Sequence, residues 1–141
     1  ISERTAPLDA GKQMADVAAQ LVPGMVGPVA IAEGVRLARE VMGAVPAATY
    51  RAALSALVTF DRKRNLEHIR VPTLLIAGEQ DKNAPPAVMQ RMGQRIAGSE
   101  YLELAGVGHL ANLEAPELFD AAVLSFLARR KAMHAFSTTR H

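Results

Sequence analysis

71-VPTLLIAGEQDKNAPP-86 is the stretch that decides the fold class of this chain. Residues 71–77 are apolar on both alternating faces and are bounded by Pro72 and Gly78, which is typical of a strand buried on both sides of a parallel sheet. The polar residues that follow Gly78 predict a loop at the carboxyl end of this strand. A short buried strand of this kind indicates an α/β protein.

The residues after this loop alternate between helix and strand. Paired prolines open a predicted helix over 84–98, and 100-EYLEL-104 predicts a second strand. A final helix is predicted to open at Pro116. The order strand, helix, strand, helix implies a parallel sheet covered by helices. Two strands are too few for such a sheet, so further strands are expected outside this chain.

Residues 1–60 show no strand-like alternation and are broken by prolines and glycines into helical stretches. Their apolar faces are formed by Met14, Val17, Ala18 and Leu21, by Ile31, Val35, Ala38 and Met42 after a first-turn Pro28, and by Tyr50, Leu54, Leu57 and Val58. Three short amphipathic helices bury little surface alone, so we expect them to lie against another part of the protein. The tail 135-AFSTTRH-141 carries no pattern and is expected to be loose.

The composition limits the function classes. The 141 residues are 50% hydrophobic, which suits one domain, and carry a formal charge of +2 spread along the chain, so no nucleic acid partner is expected. The cluster 62-RKR-64 is interpreted as a solvated turn. With no cysteine, no membrane-length apolar run and no recognisable signal peptide, we expect a cytoplasmic protein without a membrane contact. The start at Ile1, without an initiator methionine, indicates a processed or fragmentary chain.

Asp81 and His109 are the candidate catalytic residues. Asp81 lies in the loop after the first strand and His109 in the loop after the second, and in parallel sheets such loops open at the same edge. An aspartate that accepts an imidazole N–H fixes the tautomer and leaves the second nitrogen free to take a proton from a nucleophile. The sequence therefore predicts His109 as a general base and Asp81 as the acid that orients it.

Other interpretations of these residues remain open. A histidine in a loop is often a surface residue, and an aspartate before prolines is often a turn former. A metal site built from Asp81, His109 and Glu114 is conceivable, although the spacing of known hydrolytic zinc motifs is absent, and neither a metal nor a cofactor is expected. Glu79 and Glu114 are better explained by salt bridges or helix ends. His68, before the first strand, shows no ligand spacing.

The stretches 69-IRVPTLLIAGEQDKNAPP-86 and 99-SEYLELAGVGHLANLEAPELFDAAVLSFLA-128 closely resemble the C-terminal part of α/β-hydrolase-fold enzymes. The resemblance implies that Asp81 and His109 match the family's triad acid and histidine. It also implies an α/β fragment of this fold, in which residues 1–60 are a helical cap, 61–131 belong to the core and 132–141 are a tail. The branch it resembles contains 3-oxoadipate enol-lactonases, carboxylesterases and cofactor-free haloperoxidases.

The chain departs from the family's pattern at the nucleophile. The family's G-x-S-x-G elbow is absent from this sequence, and none of Ser2, Ser55, Ser99, Ser125 and Ser137 follows a predicted strand ahead of Asp81. The expected function is therefore the C-terminal part of a serine hydrolase acting on an ester or lactone, which needs a missing N-terminal core for its nucleophile and is inactive alone. The alternatives are an inactive remnant or interaction module and, less favoured, a metal-dependent hydrolase.

Overall fold

The computed structural model describes the backbone of residues 2–138 and the side chains of residues 4–131. Seven helices and two strands are described within these limits: α1 (Ser2–Asp9), α2 (Met14–Leu21), α3 (Ala32–Gly43), α4 (Ala47–Thr59), β1 (Leu74–Gly78), α5 (Pro86–Gln94), β2 (Glu100–Leu104), α6 (Ala111–Glu114) and α7 (Pro116–Thr138). Short 3-10 turns at Val22–Gly24 and Lys63–His68 complete the order. The predicted order of strand, helix, strand, helix is confirmed.

The two strands form a parallel pair whose register runs from Leu74 opposite Glu100 to Gly78 opposite Leu104. β1 begins at Leu74, three positions later than residues 71–77 predicted, because Pro72 has no backbone N–H for the ladder. The carbonyl of Thr73 still accepts a bond of 2.9 Å from the N–H of Glu100. Both strands therefore end at one edge, and the loops that follow them lie side by side.

Helix α5 packs against both strands, and helix α7 is linked to the start of β2. α5 packs on β1 through the buried Gly93 and is followed by the buried Ile96. Phe126 of α7 is buried as well, and Arg129 of the same helix forms an ion pair of 2.5 Å with Glu100 at the start of β2. These contacts hold the strand ends, and hence the two loops, in a fixed relation.

The segment of helices α1 to α4, here called the helical segment (residues 2–59), packs mainly through α2 and α3. Met14, Val17 and Ala18 of α2 are buried, as their spacing predicts. α4 is a helix, as predicted, but it contributes no buried residue. Among the described residues no single helix is long and apolar enough to cross a membrane, and α3 and α4 reach the required length and composition only together, with a bend of 98° between them.

The limits of three helices differ from the sequence prediction, since α5 covers Pro86–Gln94 rather than all of 84–98. α3 begins at Ala32 rather than near Pro28, because the N–H of Gly27 donates to the Glu114 side chain and the N–H of Ile31 to the Glu114 carbonyl, which draws the chain away from a helical path. α7 continues to Thr138, so the expectation of a loose tail is wrong for residues 135–138. Residues 139–141 lie outside the described part of the chain.

Candidate active site

The loops after β1 and β2 touch through their backbones. A Cβ atom at Gly78, the last residue of β1, would lie 2.1 Å from the carbonyl oxygen of Gly108. The N–H of Gln80 donates to the carbonyl of Val107 at 2.8 Å. Only glycine fits at position 78, and this close approach brings the side chains that follow each strand within reach of one another.

Asp81 and His109 meet at this edge, as the sequence predicts. The Oδ2 atom of Asp81 lies 2.9 Å from Nδ1 of His109, although 28 positions separate the two residues along the chain. The Asp81 side chain is 7% exposed and that of His109 is 35% exposed. The carboxylate is thus inside, and the imidazole reaches from it towards the surface.

The charged form of Asp81 is stabilised by the turn that contains it. Its Oδ1 atom accepts backbone N–H bonds of 2.8 Å from Asn83 and 2.9 Å from Ala84. Burial raises the pKa of the Asp81 carboxyl, but the bonds from Ala84, His109 and Asn83 outweigh burial and leave that pKa below its ordinary value. Asp81 is therefore both a turn former and the partner of His109. With a carboxylate as acceptor, the hydrogen on Nδ1 points to Asp81 and Nε2 is left free.

The backbone of His109 is bound to the helical segment. Its N–H donates to the carbonyl of Met25 at 2.7 Å. A Cβ atom at Gly27 would lie 2.1 Å from the carbonyl oxygen of Gly106, which itself has a positive φ of 72°. Residues 25–27, here called the docking segment, therefore lie directly against the loop that carries the histidine. The sequence pattern does not indicate this contact, because there Gly27 is only one of the glycines that separate the helical stretches.

Glu114 is a tether of this loop rather than half of a salt bridge. The residue is 1% exposed. Its Oε2 atom accepts backbone N–H bonds of 2.7 Å from both Gly27 and Gly108, and Oε1 accepts one of 2.8 Å from Leu110. The bond from Leu110, which precedes α6, fits the predicted helix-end role, whereas the other two were not foreseen. Glu79 plays a smaller part, since its carboxylate accepts a bond of 2.7 Å from Gly106.

The geometry does not favour the metal alternative. Both carboxylate oxygens of Glu114 are already occupied by backbone N–H groups, so Glu114 is not free to act as a metal ligand beside Asp81 and His109. No group of three His, Asp or Glu side chains arranged to hold a metal ion is found among residues 4–131. His68 lies apart, in the exposed 3-10 turn before β1.

The serines whose side chains are described are engaged away from His109. Ser55 donates to the carbonyl of Arg51 in its own helix, and Ser99 donates to the carbonyl of Gly93. The hydroxyl of Ser125 accepts a bond from Arg129. Ser2 and Ser137 lie outside the described side chains. No nucleophilic hydroxyl among these three serines is therefore placed beside the imidazole.

A parallel strand pair with an aspartate and a histidine in its adjoining carboxyl-end loops places the chain among the α/β hydrolases. The chain belongs to the Alpha/beta hydrolase family, whose model matches residues 4–122. It is 39% identical over 74 residues to the polyketide synthase ThaQ of Burkholderia thailandensis, a match over 52% of this chain and 4% of ThaQ. It is 34% identical over 80 residues to 3-oxoadipate enol-lactonase 2 of Acinetobacter baylyi, a match over 57% of this chain and 30% of that enzyme.

Solved structures show the same fold. The enol-lactonase from Burkholderia xenovorans LB400 superposes with a TM-score of 0.76 and 26% identity, over 89% of this chain and 49% of that one. The predicted resemblance to enol-lactonases is thus confirmed, and esterases and a bromoperoxidase share the fold. The chain thus spans about half the length of the enol-lactonase that it superposes on.

Proposed function

We propose that this chain is the C-terminal part of a serine hydrolase that cleaves an ester, a lactone or a similar acyl bond. The observation that carries the proposal is the bond of 2.9 Å between Asp81 and His109 at the carboxyl edge of the sheet. The similarity to enol-lactonases supports an acyl substrate. In the whole enzyme the helical segment would act as a cap that closes over the substrate.

The residues of this chain would supply the acid–base half of the reaction. His109 would accept the proton of an attacking serine on Nε2 and then give it to the leaving group. Asp81 would keep the Nδ1 hydrogen in place and stabilise the imidazolium that forms. The serine would come from a preceding part of the protein, and without it and the oxyanion donors, each worth on the order of 3 kcal/mol, the chain alone would be inactive.

Unpaired strand edges and exposed leucines among the described residues support the proposal of a preceding core. The sheet has only the β1–β2 pairing, which leaves one edge of each strand unpaired within residues 2–138. Leu124 and Leu127 of α7 are 65% and 54% exposed. Buried parallel sheets seldom leave such edges and leucines open, so we assign this side to contact with the preceding core.

The test uses the protein encoded by the open reading frame that contains this chain. It should hydrolyse an activated ester such as p-nitrophenyl acetate, and a fluorophosphonate probe should label a serine outside residues 1–141. His109→Ala should lower kcat about 10⁴-fold or more, and Asp81→Asn by a similar factor. His68→Ala, at an exposed histidine, is the matched control and should leave kcat unchanged. Turnover that survives His109→Ala would refute the proposal.

A second candidate is an inactive interaction module. Leu57, Val58 and Phe60 at the end of α4 are each about two thirds exposed, at 67%, 67% and 68%, and form an apolar patch that a partner could cover. The same assay separates the two candidates. A full reading frame without a labelled serine and without ester hydrolysis would favour the interaction module.

A further inference from the structure

Glu114 is a buried ionisable side chain among the described residues, and the proposed mechanism assigns it no role. It is among the largest fully buried side chains in the described residues, and carboxylates are seldom buried unless they are fully bonded. Its two oxygens receive three N–H bonds of 2.7 to 2.8 Å. Each oxygen of the Glu114 side chain therefore acts as an acceptor, and all three donors are backbone N–H groups.

The three donors come from two distant parts of the chain. Gly108 and Leu110 flank His109, whereas Gly27 belongs to the docking segment and is 87 positions from Glu114. Gly27 and Gly108 share the same oxygen atom. One carboxylate therefore joins the histidine loop to the helical segment.

The histidine loop and the docking segment are in direct backbone contact. A Cβ atom at Gly108 would lie 2.5 Å from the carbonyl oxygen of Met25, which is the same oxygen that accepts the N–H of His109. A loop with glycines at 106 and 108 has little stiffness of its own. The position of the His109 backbone is consequently held by these bonds rather than by the loop itself.

We propose that Glu114 is a positioning residue that fixes the His109 backbone to the docking segment, so that the imidazole meets Asp81 only while this segment is seated. The proposal rests on the function proposed for His109. It makes the position of the helical segment a condition for an aligned base, because displacing Gly27 and Met25 removes one bond from Glu114 and one from His109 itself.

The experiment compares Glu114→Gln with Glu79→Gln in the full chain by NMR of the His109 ring. Glutamine at 114 can place its single oxygen against Gly27 and Gly108, but its NH₂ group then faces the N–H of Leu110. Glu79→Gln is the matched control, since Glu79 accepts one N–H from the same loop, at an exposed site. The ring nitrogen shifts report which tautomer is present and whether Nδ1 donates to Asp81.

In Glu114→Gln we expect the downfield Nδ1 proton to be lost and the ring tautomers to mix, with amide exchange at Leu110 faster by about tenfold, which corresponds to the loss of one net hydrogen bond. Glu79→Gln should leave the ring resonances unchanged. A folded Glu114→Gln protein with the wild-type ring signature would overturn the proposal, since a merely structural role would alter stability but not the tautomer.

If Glu114→Gln fails to fold, couplings through the hydrogen bonds from the Gly27 and Gly108 amides to the Glu114 carboxyl carbon are measured in the wild type, with Glu114→Asp as the milder variant. Absent couplings, or an unchanged ring signature in Glu114→Asp, would contradict the proposal, whereas couplings with an altered ring would support it. The ring is observed without turnover, so a failure of the proposed hydrolase activity is told apart from a failure of this inference.

Discussion

At the scale of single residues, Asp81 combines two tasks that a sequence pattern describes as alternatives. One of its oxygens closes a turn by accepting the N–H groups of Asn83 and Ala84, and the other meets His109. The turn holds the carboxylate in one orientation, and burial keeps most of the carboxylate out of contact with water. The turn is therefore what makes the aspartate a well-oriented partner for the histidine.

The lowered pKa of Asp81 predicts how the stability of the chain responds to acid. Because its folded pKa lies below its unfolded value, near 3.9 for an ordinary aspartate, the charged form adds stability above that range and loses it as the pH falls through the folded value. We expect the difference in unfolding free energy between wild type and Asp81→Asn to be larger at pH 5 than at pH 3. Urea unfolding at both values measures it.

The control for this prediction is Asp120→Asn, at an exposed aspartate on α7. The difference in unfolding free energy between wild type and Asp120→Asn should change little between the same two pH values. A difference for Asp81→Asn that stays constant or grows on acidification would show that the carboxylate is not stabilised by the folded chain.

The pairing of Asp81 with His109 could be predicted because it depends on one simple rule of parallel sheets, namely that consecutive loops open at the same edge. The bonds of Glu114 could not be predicted in the same way. Gly27 lies 87 positions from Glu114, and nothing in the local pattern of 25-MVG-27 indicates which carboxylate its N–H will meet. Contacts between the helical segment and the core depend on tertiary packing, which short-range periodicity does not encode.

At the scale of secondary-structure elements, two buried helical glycines differ in how much space a Cβ atom would have. A Cβ atom at Gly34 of α3 would lie 1.7 Å from the carbonyl oxygen of Leu113, so the helix backbone touches α6 directly. A Cβ atom at Gly93 of α5 would lie 3.5 Å from the Leu75 side chain, which is ordinary contact. α3 is thus pressed against the loop region of His109, while α5 has room for a methyl group.

We expect Gly34→Ala to lower the unfolding free energy of the chain by about 1 to 3 kcal/mol, because the clash with backbone exceeds the roughly 1 kcal/mol that alanine gains in helix propensity. Gly93→Ala, the matched control, should leave stability unchanged or raise it by up to about 1 kcal/mol. Chemical unfolding of both variants measures the difference. Equal effects at the two sites would contradict the close approach of α3 to Leu113.

The apolar spacing predicted α2, α4 and β2 well but placed α3 too early. Ile31 was assigned to the buried stripe, yet it is 45% exposed, whereas Gly34 and Ala38 are buried. Small residues carry the contact because the backbones of α3 and α6 approach closely, and a pattern based on large apolar side chains overlooks them. The short helices α1 and α6 were missed for a related reason, since neither presents a full apolar stripe.

At the scale of the whole molecule, the proposed function assigns the described residues to one side of a larger core. Phe126 of α7 is buried, while Leu124 and Leu127 of the same helix remain exposed. An amphipathic helix of a complete domain has one apolar face, and here that face is wider than the described residues can cover. The similarity to an enol-lactonase of about twice the length agrees with a partner surface on this side.

The double substitution Leu124→Gln and Leu127→Gln tests whether α7 is covered by a preceding core in the full-length protein. In the chain alone both side chains are exposed, so the unfolding free energy should change by no more than about 0.5 kcal/mol. In the protein encoded by the full reading frame, where we expect both leucines to be buried, the unfolding free energy should fall by roughly 1.5 to 3 kcal/mol per leucine.

Phe126→Ala is the control and should lower the unfolding free energy by about 3 to 5 kcal/mol in both proteins. Denaturant unfolding of the two proteins side by side decides the matter, and an equal, small effect of the leucine pair in both would place the missing core elsewhere.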